Sequence, residues 1–232
     1  MASAAPILGI ETSNPSAQAG CGVALVDAAG RTLAVEPLRG ADGRADDLAP
    51  SIDRCLRAAG VRPADVRTVA VSAGPGGFTS VRIAVTTAKM LAEATGASCV
   101  PVPTALVVAH AAPAATGPFC VALASKGSDA HVTVFGPGPV TAGAGRVLDA
   151  AGLTALHRQR PFALLLADRF LPQPMRDAAE RLGVRVEPPV FDPVACALAA
   201  AACPAQDPAR VVPIYPREPE AVTKWRAMHG KA

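Results

Sequence analysis

The chain has 232 residues, a formal net charge of +3 and 50% hydrophobic residues. That length suffices for one large domain or for two lobes of about 100 residues with a real core, which excludes a disordered chain. Lysine and arginine are scattered rather than clustered, so a strong nucleic-acid footprint is excluded too. Aromatic residues make up only 3%, and a core of Ala, Val and Leu suits closely packed α/β layers.

In chain order, "PILGIET", "CGVALVD" and "TLAVEP" read as an opening meander of three strands, separated by turn formers and stopped by proline. From Arg44, "RADDLAPSIDRCLRAAG" spaces Leu48, Ile52, Leu56 and Ala59 for a first helix, with Pro50 near its first turn and Gly60 as its cap. "VRTVAVSAG" is a buried strand, and the loop "GPGGF" opens a second helix. On that helix Val81, Ala84, Val85, Ala88, Leu91 and Ala92 form an apolar stripe, opposite Arg82, Thr86, Lys89 and Glu93, of which Lys89 and Glu93 are spaced to pair. "ASCVPV" is a strand, and "PTALVVAHAAPAA" a short helix broken at Pro113.

A hairpin recurs in "FCVALAS", "KGSD" and "AHVTVFG". After it come the helix "RVLDAAGLTAL", the strand "PFALLLAD", the helix "QPMRDAAERLG" and the strand "VRVEP". Two halves that both open on a hairpin and then alternate helix with strand suggest an actin-like duplicated fold; an ordinary doubly wound sheet competes with it. The six cysteines fall mostly in apolar runs without a C-x-x-C pair, the pattern of reduced core thiols. The amino-terminal residues lack a charged segment before their apolar run, and no stretch is long enough to span a bilayer, so a cytoplasmic location is expected.

Residues that could carry chemistry are few. The glycine loop matches neither G-x-x-x-x-G-K-[ST] nor G-x-G-x-x-G, yet a strand, a glycine loop and a helix N-terminus can present N–H groups to a phosphate. It can equally be a structural turn. Glu11, Thr12 and Ser13 end the first strand, where a carboxylate and hydroxyls could hold metal-bound phosphate or simply terminate the strand. With Gly74 and Gly76 they make a weak nucleotide-binding candidate. His110, His131, His157 and His229 have no metal-ligand spacing, which disfavours a zinc peptidase, and no metal or other cofactor is expected. The only Tyr and the only Trp lie within eleven residues of each other in the tail, which suggests a docked segment.

Taken together, "ILGIETS", "GPGGFTSVRIA" and "PIYPREPEA" resemble the TsaB (YeaZ) family. The loop pattern GPGSFTGLRIG is matched by Gly74, Pro75, Gly76, Phe78, Thr79, Arg82 and Ile83; the opening ILAIDTS by Ile7, Leu8, Ile10, Thr12 and Ser13; and the terminal PxYLR by Pro213, Tyr215 and Arg217. Gly77, Ser80, Val81 and Ala84 depart from the loop pattern, Glu11 replaces its Asp, and Arg44 replaces the His that opens the family's first helix. The resemblance implies an α/β actin-like fold (ASKHA, ribonuclease H-like) with two lobes, placed here at 1–104 and 105–232, the second degenerate and ending in a tail.

It further implies a non-catalytic subunit of the bacterial complex that adds threonylcarbamoyl to N6 of the adenosine beside the tRNA anticodon. TsaD, the catalytic relative, would bind the two N-terminal helices as a heterodimer, TsaE would join, a homodimer could form in isolation, and tRNA would be met only through the complex. The expected partner face comprises Leu48, Ile52, Leu56, Arg82, Val85, Thr86, Lys89 and Glu93, with Leu48, Ile52 and Leu56 still to be divided between core and partner. An autonomous ATPase or phosphotransferase using Glu11 and the glycine loop is the alternative.

Overall fold

Short runs of small and β-branched residues bounded by turn formers become strands throughout the chain. The computed structural model describes residues 5–14, 20–39, 47–112, 117–124, 127–141, 143–217 and 220–230. Strands β1 (Ile7–Glu11), β2 (Gly22–Val26) and β3 (Thr32–Pro37) form the expected meander. Helix α1 (Leu48–Ala59), strand β4 (Thr68–Ser72), helix α2 (Phe78–Thr95), strand β5 (Ser98–Val102) and helix α3 (Thr104–Ala111) follow. Gly60 caps α1 in the left-handed region at φ 65°, and Pro50 lies in the first turn. Residues Arg44, Ala45 and Asp46 of the expected helix start, and Pro113, lie outside the described residues. Midway along α1, Arg54 pairs with both Asp47 at the helix head and Glu36, fastening the helix to β3.

The second half contains β6 (Phe119–Ala124), β7 (Ala130–Phe135), β8 (Arg146–Leu148), α4 (Ala150–Gln159), β9 (Leu164–Ala167), α5 (Gln173–Arg181), β10 (Arg185–Glu187), α6 (Pro193–Ala199) and α7 (Glu220–His229). One expectation is corrected here: "RVLDAAGLTAL" is not a single helix. Arg146–Leu148 pairs antiparallel with β7 as a strand, and the helix begins after Asp149, whose carboxylate accepts a hydrogen bond from Gly152 N at 2.8 Å. The run "VACALAAAAC", noted only for its thiols, forms α6 and the short 3-10 turn after it.

The sheets run β3-β2-β1-β4-β5 and β10-β9-β6-β7-β8. Each has three antiparallel strands in a meander followed by two parallel ones, so the two have the same topology and the fold is the duplicated, actin-like one. One hydrophobic cluster joins the first sheet to α1 and α2, and another joins the second sheet to α4 and α5. A third lies between the sheets, where α3 and α6 meet Val100 and Val102 from one sheet and Phe119, Val121 and Phe135 from the other. Helix α6 reaches back onto β1 so closely that a Cβ on Gly9 would lie 2.2 Å from Pro193 O. All six cysteines are free thiols, four of them buried.

Candidate functional site

Strands β1 and β4 are parallel neighbours, so their C-terminal ends deliver Glu11, Thr12 and Ser13 beside the glycine loop, at the edge where α/β sheets place ligands. The loop is drawn tightly onto this strand end. Gly77 N donates to Ser13 O at 2.7 Å, and Thr12 Oγ1 donates to Ser80 O at 3.2 Å. A Cβ on Gly76 would lie 2.4 Å from Ser13 O, so only glycine fits this approach. Pro75 has no N–H to offer. The loop's hydrogen bonds are therefore turned toward the protein itself, while its helix, α2, starts without a side-chain cap.

Glu11 is completely buried. Its Oε1 accepts from Ser13 N at 2.6 Å, while Oε2 and the Ser13 hydroxyl have no hydrogen-bond partner. Burial pushes the carboxyl above the usual range, the hydrogen bond from Ser13 N opposes the shift, and the nearby Asp192 carboxylate adds to it. From the same strand end, Asn14 Nδ2 donates to Asp168 Oδ2 at 3.0 Å and ties the two lobes together.

Helix α2 turns Val81, Ala84, Val85, Ala88 and Ala92 into the core, as its periodicity predicts. Its outer face is left to solvent: Phe78 is 60% and Met90 68% exposed, with Arg82 and Thr86 between them, Glu93 just beyond Met90 and Ile83 at the margin. The tail reaches this face. Arg82 Nε donates to the Tyr215 hydroxyl at 2.5 Å, and the Arg82 guanidinium sits 3.7 Å from the centroid of the Phe78 ring.

Glu11, Thr12, Gly74 and Gly76 are thus brought together, and so are Arg82, Thr86 and Glu93. The apolar residues of the expected partner face are placed elsewhere: Leu48, Ile52, Leu56 and Val85 are all buried in the cluster beneath α1 and α2. That removes them from any exposed surface, because a helix that covers a sheet spends its apolar stripe on the sheet. Lys89 does not pair with Glu93 among the described residues; its ammonium donates to Ala209 O at 3.3 Å. Tyr215 docks on the chain's own body, whereas Trp225 stays half exposed on α7, stacked on His229. Sequence reasoning left Phe78 and Met90 off the site. The signal was present, since at about 100° per residue both fall on the face of Arg82, Thr86 and Glu93.

Two solved structures share this architecture. YeaZ from Pseudomonas aeruginosa is 21% identical, with 91% of this chain and 99% of that one covered and a TM-score of 0.68. The other is an uncharacterized protein with similarity to peptidase YEAZ from Pseudomonas aeruginosa, 22% identical, with 92% and 100% covered and a TM-score of 0.67. No curated protein matches the chain. The family model described as TsaD: tRNA N6-adenosine threonylcarbamoyltransferase matches residues 35–182, more than half of the chain. The chain therefore belongs to this threonylcarbamoyltransferase family and folds as YeaZ does, in agreement with the TsaB (YeaZ) motifs in its sequence.

Proposed function

We propose that the chain is a non-catalytic TsaB-type scaffold of the complex that adds threonylcarbamoyl to N6 of the adenosine beside the tRNA anticodon, and that it binds and supports the catalytic TsaD subunit. The observation that carries this reading is the contrast between α2's two ends of business. At its start, the glycine loop is engaged with Ser13 of the same chain; along its outer face, Phe78 and Met90 lie exposed around Arg82. Large apolar side chains grouped with a fixed cation have the composition of an interface core. TsaE and tRNA then come to the chain through the complex, in the cytoplasm.

The experiment is reconstitution. The catalytic subunit, TsaE, the enzyme that makes the threonylcarbamoyl adenylate, tRNA and ATP are combined with and without this chain, and modified adenosine is measured. Modification that depends on the chain is expected; an unchanged yield without it overturns the reading. The second reading, an autonomous actin-like ATPase or phosphotransferase, draws its support from the buried Glu11, whose Oε2 lacks a partner beside the glycine loop. ATP hydrolysis by the isolated chain, abolished in Glu11→Gln, would favour it.

A further inference from the structure

The second sheet is left open at its edge, on the side that α4 covers. Residues opposite each other in an antiparallel pair share a face, so Arg146 on β8 lies on the α4 side with its partner Val132, and Val134, two positions on, lies there too. Pairing between β7 and β8 stops at Arg146. Continued by two positions, the register would set Ala144 opposite Val134, but the run from Gly143 to Gly145 is not a strand and carries at most one methyl group per residue. The space that larger side chains would fill stays open.

What results is a cavity of about 270 Å³ between β7, the β7–β8 connection and the end of α4. Its floor is apolar: Val132, Val134 and Leu156 are all buried. Leu156, Gln159 and Arg160 stand at i, i+3 and i+4 on one face of α4, which brings an exposed amide and an exposed guanidinium to the rim. Arg160 Nη1 comes within 3.7 Å of where a Cβ on Gly143 would lie, so this guanidinium reaches toward the connection. Arg146 lines the same cavity and has no ion pair among the described residues.

No carboxylate is among the described residues that line the cavity. The carbonyl end of α4 offsets only about half a charge of the two guanidinium groups, which leaves a cationic rim above an apolar floor. We infer that the cavity binds a small organic carboxylate with an aliphatic body. Arg146 and Arg160 hold the carboxylate with their planar forks, and Val132, Val134 and Leu156 take the body. At about 30 Å³ per water-sized group, the cavity holds about nine non-hydrogen atoms, the size of a branched acid of about six carbons. Inorganic phosphate would leave the floor wet, and a neutral alcohol would leave the guanidinium groups without a counter-charge. The site lies in the second half of the chain and stands or falls apart from the function proposed above.

The probe is 4-methylpentanoate, titrated into the full chain and followed by amide chemical shifts, with 4-methylpentanol and inorganic phosphate as controls. Saturable shifts at Val132, Val134, Gly143, Ala144 and Leu156 are expected, with a Kd of about 1 mM for a ligand this small. Arg146→Gln and Arg160→Gln, both at exposed positions, are each expected to weaken binding about 10-fold, and the alcohol to bind about 10-fold more weakly than the acid. Ala144→Leu, which fills the cavity from its rim, is expected to abolish binding without lowering the thermal midpoint. No saturable shift up to about 10 mM acid overturns the inference. So does equal binding of the alcohol, which makes the cavity an apolar hole, or equal binding of phosphate, which makes it a place for an adventitious ion only. Wild-type affinity in both arginine variants overturns it as well.

Discussion

At the scale of single residues, Glu11 is the most unusual side chain of the fold. A carboxylate that gives up water needs several hydrogen bonds or a cation in return, and Glu11 has a single hydrogen-bond donor among the described residues, Ser13 N, with the Asp192 carboxylate nearby. Its folded affinity for a proton is raised above the ordinary 4.5. Between 4.5 and the raised value the folded chain holds a proton that the unfolded chain has lost, so stability falls as pH rises through that window and then levels off. Glu11→Gln keeps the shape and removes the titration. Urea unfolding from pH 4.5 to pH 8 is expected to give a flatter profile for the variant, with its advantage over the wild type growing toward high pH. An advantage largest at pH 4.5 would show that Glu11 is ionised in the fold. Little of this was visible in the sequence, where Glu11 read as an ordinary strand-end residue; its burial depends on α6 and the loop after β4, both distant in the chain.

Elements were legible where one rule acted alone. The stripe of α2, the glycine cap of α1 and the opening meander all follow from local periodicity and turn chemistry, and all formed as read. Legibility ended where two elements met without a breaker. In "RVLDAAGL" the apolar spacing runs on unbroken from Arg146, but Arg146–Leu148 finds a strand partner in β7, a long-range pairing that outweighs helical spacing. Asp149 marks the true helix start by capping it. Asp149→Ala is accordingly expected to lower stability by about 1 kcal/mol with no loss of fold, read as a shift of the urea midpoint at constant slope. An unchanged midpoint would mean that tertiary contacts alone hold the boundary. For α1 the error ran the other way: periodicity located the apolar stripe but could not say that the sheet takes all of it, because that depends on whether a layer lies beneath.

At the scale of the molecule, the duplication was visible as two hairpins with helices and strands after them, while the crossing of α6 back onto β1 was not, since no residue in "VACALAAAAC" names the sheet it covers. That crossing and the Asn14–Asp168 hydrogen bond both bridge the two halves, while Arg217 in the tail pairs with Asp129 in the β6–β7 turn within the second half. A nucleotide entering between the lobes of an actin-like fold needs N–H groups from a phosphate loop and space beside them. Here Gly77 N–H is donated to Ser13 O, Pro75 has none, and Gly76 lies against Ser13. A phosphate that recruits Gly77 N–H would have to break its bond to Ser13 O first. A ligand that binds the folded chain stabilises it by RT ln(1 + [L]/Kd), about 2.7 kcal/mol at a hundredfold excess over Kd. Thermal unfolding of the isolated chain with millimolar MgATP is therefore expected to stay within about a degree of the ligand-free midpoint. A rise of several degrees, which for a chain of this size corresponds to about 1 kcal/mol or more, would mean that the loop opens readily and that the chain holds nucleotide without a partner.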